Sequence, residues 1–234
     1  MELTPDSSIA FSIGAWAIND TIVYTWVVMG LITGISVLIT RNLRADVAPD
    51  RWRTTLEVIV LGIESQIEEI TRRPDHRLLY FTGTLFLFIL VSNILMVVPG
   101  FTPPTASLST TTALALSVLI AVPAFGIDSR GIGGYLRTFI QPSPIMLPFN
   151  IIGEFSRGIS LAIRLYGNIM SGAVIAAILL GVAPFFFPVV MDMLGLLTGV
   201  IQAYIFAILA TVYISSATAT PSDSDQHLKP VGHS

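Results

Sequence analysis

The chain has 234 residues, 53% of them hydrophobic and only 12% charged, with a formal net charge of −3 and a mean hydropathy of +0.78. A soluble domain carries about a quarter charged residues, so this composition belongs to the membrane class. There is no cysteine, which excludes disulfides, thiolate metal sites and cysteine nucleophiles together, and His76, His227 and His233 all fall in polar segments, which excludes a histidine-rich metal centre within the membrane.

Residues 1–20 carry Glu2, Asp6 and Asp20 and no basic residue, unlike a cleavable secretory signal, and read as an external N-terminal segment. Within it, residues 9–18 form a weakly amphipathic stretch expected to lie on the membrane surface. Residues 21–40 are free of charge and long enough to cross a hydrocarbon core of about 30 Å. Near 52–71 the apolar residues Leu56, Ile59, Val60, Ile63, Ile67 and Ile70 recur at helical spacing, opposite Glu57, Glu64 and Glu68. That pattern predicts an amphipathic helix at the interface or against the bundle.

Residues 79–98 form a second span, ended by Pro99-Gly100, and residues 107–126 a third, whose threonines and alanines favour close helix packing. The last two apolar segments, 145–181 and 185–216, are longer than a perpendicular crossing needs; a continuous helix over 145–181 would be about 55 Å long. They predict two long, tilted helices joined as a hairpin at Pro184/Pro188. Residues 217–234 read as a polar cytoplasmic tail. The expected architecture is thus an all-α integral membrane protein, a single transmembrane domain over 21–216. It has five membrane-crossing helices, the last two a long tilted hairpin, plus an amphipathic interfacial helix.

Seven arginines (41, 44, 51, 53, 72, 73 and 77) lie between the first two spans, Arg130 and Arg137 between the third and fourth, and Lys229 in the tail, while 1–20, 99–106 and 182–188 contain no Lys or Arg. The positive-inside rule then puts the N-terminus outside and the C-terminus in the cytoplasm, with five crossings.

Four charges remain inside the final hairpin: Glu154, Arg157, Arg164 and Asp192. Each costs about 2.5–3.5 kcal/mol at mid-membrane on insertion scales. At 100° per residue Glu154, Arg157, Arg164 and Asn168 fall within an arc of about 80°, and Asp192 and Gln202 project similarly on the fifth helix. In an antiparallel hairpin Arg164 and Gln202 come to comparable depth, with Glu154 toward the cytoplasm and Asp192 toward the outside. A carboxylate on each side of a central arginine is the layout of two aqueous half-paths meeting one barrier. Simpler readings exist for most of these residues: Glu154 and Arg157 are an i,i+3 pair that can neutralise itself, Asn168 and Gln202 can serve as interhelical hydrogen-bond donors, and Asp192 can sit in the headgroup zone. Arg164 is too deep to snorkel easily.

The run LAIRLYGNIMSG at residues 161–172 resembles the arginine motif of subunit a of F-type ATP synthases. Pro148-Phe149-Asn150 with Glu154 and Arg157 resembles that family's lead-in to the arginine, and GVIQAYIFAILATVYI at residues 199–214 its last helix. Ser92-Asn93 before Val98-Pro99, and residues 111–116, are similar to its middle helices. The resemblance implies an ion-translocating, non-catalytic stator subunit in a bacterial plasma membrane. It would have as partners a c-subunit ring, the peripheral-stalk subunit b, the rest of the complex and the lipid bilayer, and neither nucleic acid nor a cofactor. Arg164 would face the ring's carboxylates and block leakage between half-channels, with Asn168 and Gln202 supporting it. The sequence departs from the family where many members carry a titratable group: here stand Ala173 and Gly195. Asp192, one turn from Gly195, is expected to replace the missing group.

No phosphate-binding glycine-rich loop is present, so nucleotide chemistry falls to partner chains. The alternative is a secondary transporter for a small anion with Arg164 as counter-charge, but the chain has no internal repeat and no matching pair of broken helices. An intramembrane enzyme lacks both a His-Glu metal motif and a nucleophile–base pair.

Overall fold

The structure, a computed structural model, describes residues 9–13, 16–40, 58, 61–62, 64–66, 68–70, 76–98, 100–140, 143–181 and 187–218. Five of its helices are long and apolar enough to cross a membrane: α1 (Asp20–Thr40), α2 (His76–Ile94), α3 (Leu108–Ile140), α4 (Met146–Leu180) and α5 (Phe187–Thr218). The all-α spanning architecture is as the sequence implies. Residues 217–218 belong to α5, and the rest of the polar tail lies outside the described residues.

Two elements differ from the sequence reading. In place of an amphipathic surface stretch at 9–18, strands β1 (Ile9–Ile13) and β2 (Trp16–Asn19) pair antiparallel. The sequence IAFSI alternates bulky and small residues with period two, a strand signal rather than a helical one. The third span does not end at 126: α3 runs on to Ile140, broken at Gly131, whose φ of 72° and ψ of 163° are non-helical. Hydropathy falls at Asp128 and Arg130, yet nothing there stops a helix; a glycine able to take positive φ makes the turn. The chain beyond it folds back until the Tyr135 ring occupies the space a Cβ on Gly126 would need, 2.6 Å away.

Contacts between helix ends fix the up-and-down order. The Tyr24 hydroxyl, at the start of α1, donates to the Gly100 carbonyl at 3.1 Å, and its ring meets Phe101 edge-on at 4.9 Å. The start of α1 and the turn after α2 therefore share one face. On the opposite face Arg77, at the start of α2, pairs with Asp128 on α3 at 2.8 Å.

The core is built by α2, α3, α4 and α5, which meet at the fully buried Ile89, Val118, Leu165 and Phe206. Lipid tails are as apolar as leucine, so close packing rather than the hydrophobic effect holds such helices together. The approach of α2 to α5 shows it: a Cβ on Gly199 would stand 2.8 Å from Asn93 Cβ. The Asn93 amide donates to the Gly199 carbonyl at 2.9 Å and accepts from the Thr105 hydroxyl at 2.8 Å. Buried amide and hydroxyl are thus both satisfied, as a water-free interior requires. Helix α1 packs on α2 at the rim, with Trp26, Met29 and Leu38 left facing outward.

The amphipathic segment near 52–71 is described at nine positions from Val58 to Ile70, all helical. It rests on the bundle: the Tyr204 hydroxyl on α5 donates to Gln66 Oε1 at 2.8 Å.

Candidate functional site

Helix α4 is oriented by its apolar ridge. Leu161, Leu165 and Ile169, spaced by four, are buried against the bundle. Arg164 lies beside that ridge and is exposed, as are its neighbour Ile163 and, one turn earlier, Ile159 and Ser160. A guanidinium near the middle of a bilayer-length helix thus points away from its own chain.

Glu154 and Arg157 behave differently. Arg157 Nη1 lies 3.3 Å from Glu154 Oε2, and its guanidinium carbon stands 5.4 Å from the centre of the Tyr213 ring on α5. The Glu154 side chain is only 18% exposed. Both border a cavity of about 290 Å³ that opens among the fold-back after Gly131, the start of α4 and the end of α5, with Tyr135, Thr138, Asn150 and Ser216 also on its wall. The Asn150 amide donates to the Phe139 carbonyl at 2.9 Å, tying the fold-back to α4. The self-neutralising pair read from the i,i+3 spacing is formed, and it stands on the wall of a cavity lined by both polar and apolar side chains.

The Arg157–Tyr213 contact brings the first half of α4 beside the end of α5. The short connection from Gly181 to Phe187 returns the chain beside α4, so the two run antiparallel and each step along one is matched on the other. Counting residues from that contact puts Asn168 and Gln202 at similar depth, with Arg164 about one turn, ~6 Å, nearer the Arg157 end. Gln202 is 6% exposed, facing the bundle interior beside Ala203 and Phe206, and its Nε2 is buried without a hydrogen-bond partner among the described residues. Arg164 and Gln202 are therefore close in depth but differ in direction, one outward and one inward. Asn168 is half-buried.

At the other end Asp192 is exposed on the second turn of α5. The space beside Gly195 is taken by Met96, whose Cε and Sδ would lie 3.7 and 3.9 Å from an added Cβ. That position is apolar, and Asp192 stands one turn beyond it.

Sequence reasoning passed over Tyr213, Tyr135 and Thr105. Tyr213 lies within the apolar signature of the last helix, where nothing in the sequence marks a cation partner. Asn93 was noted only as part of a motif; an asparagine inside an apolar span was the available signal. Among the described residues no cluster of three or more His, Asp or Glu side chains could hold a metal.

The family model for the ATP synthase A chain matches residues 22–215. "ATP synthase subunit a 2" of Acaryochloris marina is 57% identical over 97% of this chain and 95% of its own length. "ATP synthase subunit a" of Albidiferax ferrireducens is 53% identical over 93% and 94%, and "ATP synthase subunit a 1" of Chlorobaculum parvum 53% over 96% and 99%. With the arginine motif mid-way along α4, one of five membrane-length helices, the chain belongs to the ATP synthase subunit a family, the multi-pass membrane subunit of the ATP synthase complex.

Proposed function

We propose that this chain is the ion-translocating, non-catalytic stator subunit in which Arg164 separates two aqueous half-channels facing a rotating ring of c subunits. The observation that carries the reading is the outward orientation of Arg164. A permanent cation aimed at hydrocarbon is too costly to stand alone, so a partner must bring it a counter-charge. A ring of carboxylates does so one at a time. A guanidinium is a permanent cation in proteins: it attracts each carboxylate in its ionised form and cannot itself pass a proton on.

The inner half-channel is the cavity bordered by Glu154, Arg157 and Asn150. Its polar wall can hold water, and it ends about two helical turns from Arg164. The outer half-channel reaches Arg164 past Asp192, with Gln202 and Asn168 supporting the arginine's level. In this reading Arg77, Asp128 and the cavity lie on the cytoplasmic side, Tyr24 and Gly100 outside, in a bacterial plasma membrane, with subunit b among the partners.

Because the chain has no cysteine, a single cysteine at Ile163, which is 60% exposed beside Arg164, can report on what covers that face. Disulfide cross-linking to cysteines placed beside the ring carboxylate is the expected result. A chain that purifies without a ring of small hairpin subunits, or an Ile163→Cys variant that cross-links only to lipid-facing probes, contradicts the reading and favours the anion transporter.

A further inference from the structure

The short helical stretch after Gly131 is weakly held by its own sequence and by its packing. Gly133 and Gly134 stand in its first turn, and glycine disfavours a helix more than any residue but proline. A helix of this length is not stable by itself. Of residues 132–140 only Tyr135 is buried, while Ile132, Leu136, Arg137 and Ile140 are exposed. Segments with so few buried side chains open at a low free-energy cost.

Three contacts hold it in place. The Tyr135 ring is seated over Gly126 on α3, 2.6 Å from where a Cβ on that glycine would stand. At the far end the Asn150 amide donates to the Phe139 carbonyl at 2.9 Å, satisfying a last-turn carbonyl that a helix leaves without an intrahelical partner. Across the break itself, Arg130 Nη1 donates to the Thr138 hydroxyl at 2.9 Å. Gly131, at a φ of 72°, has the backbone freedom of a pivot. Tyr135, Thr138 and Phe139 share the cavity wall with Glu154 and with Val122, which lies one turn before Gly126 and is 3% exposed.

We propose that residues 132–140 form a hinged flap on this cavity. It swings about Gly131: the Tyr135 ring leaves its seat on Gly126, the Asn150 amide releases the Phe139 carbonyl, and the wall at Val122 opens to water. Tyr135 and Asn150 are its latches. The motion rests on the geometry of the cavity wall alone and stands apart from the role given to Arg164.

The chain has no cysteine, so single cysteines report the opening. The intact ATP synthase complex in nanodiscs is treated with a water-soluble maleimide, and labelling of this subunit is followed by mass spectrometry. Val122→Cys should react slowly, yet faster than Val118→Cys, which is in the core and 1% exposed in the native chain. Gly126→Ala adds atoms at the latch and can uncover Val122 only by displacing the Tyr135 ring; it should speed labelling of Val122→Cys about tenfold. Asn150→Asp at pH 8 keeps the shape but loses the donor, and should speed it about fivefold. Val118→Cys should stay unreactive in both backgrounds. Labelling of Val122→Cys that is unchanged by either latch variant overturns the flap. So does a parallel gain at Val118→Cys, which would mean that the whole bundle loosens. If Gly126→Ala fails to assemble, Asn150→Asp decides.

Discussion

The two ends of the α4–α5 hairpin, on either side of Arg164, are built in opposite ways. On the side of Glu154 the charges are paired, half-enclosed and braced by an aromatic ring: Arg157 is held between the Glu154 carboxylate and Tyr213, in a cavity closed by the fold-back after Gly131. On the side of Asp192 the single carboxylate is exposed, and the neighbouring seam between α2 and α5 is filled by Met96 at Gly195 and Asn93 at Gly199. In the proposed reading the inner approach is then a partly enclosed chamber with polar side chains on its wall, and the outer one depends on one acidic side chain at the surface of the last helix. A chamber with several polar walls tolerates the loss of one, whereas a path with one carboxylate does not.

Between the two ends, the larger effect is accordingly expected at Asp192. Asp192→Asn should lower ion-driven ATP synthesis in vesicles by roughly a hundredfold, the lower range for losing a positioned proton-transfer group. Synthesis at the wild-type rate would remove Asp192 from the outer path. Glu154→Gln, measured in the same vesicles, should reduce synthesis by only about tenfold, since Asn150, Thr138 and Ser216 still line the chamber. If the two variants fall in the reverse order, the contrast between the approaches is wrong.

A smaller effect separates the two glycines of the outer seam. Gly199→Ala drives a Cβ into the Asn93 side chain at 2.8 Å and should destabilise the subunit by about 1–3 kcal/mol, as overpacking does. Gly195→Ala meets only the flexible end of Met96 at 3.7 Å and should be close to neutral. Thermal unfolding of the purified complex compares them, and equal midpoints would mean that the seam is not packed as described. Smaller than the Gly199 effect, Tyr213→Leu removes the cation–π contact to Arg157, worth about 0.5–2 kcal/mol. It should leave synthesis within a few-fold of normal and shift only the stability of the chamber.

Much of this was legible from the residues. Hydropathy marks all five spans because a helix must satisfy its own backbone in hydrocarbon. The expensive charges single out Glu154, Arg157, Arg164 and Asp192 for the same reason. What hydropathy could not show was where α3 ends, since Asp128 and Arg130 lower the score without stopping the helix, and Gly131 acts through its φ rather than its polarity. Helical angles put Arg164 on one stripe with Glu154 and Arg157, yet not which way the stripe faces. The roll of α4 is set by Leu161 and Leu165 packing into a core made by four helices, a tertiary fact. The same holds for Gln202, whose inward direction follows from the neighbours Ala203 and Phe206.

The central claim is that Arg164 is the barrier between the half-channels, and passive ion conductance of membrane sectors stripped of their catalytic partners, run alongside ATP synthesis, tests it most directly. Arg164→Ala should abolish coupled synthesis while ions still cross the sector, and Arg164→Lys, whose ammonium can lose its proton when desolvated, should be impaired rather than silent. Coupled synthesis at an unaltered rate in Arg164→Ala would contradict the account.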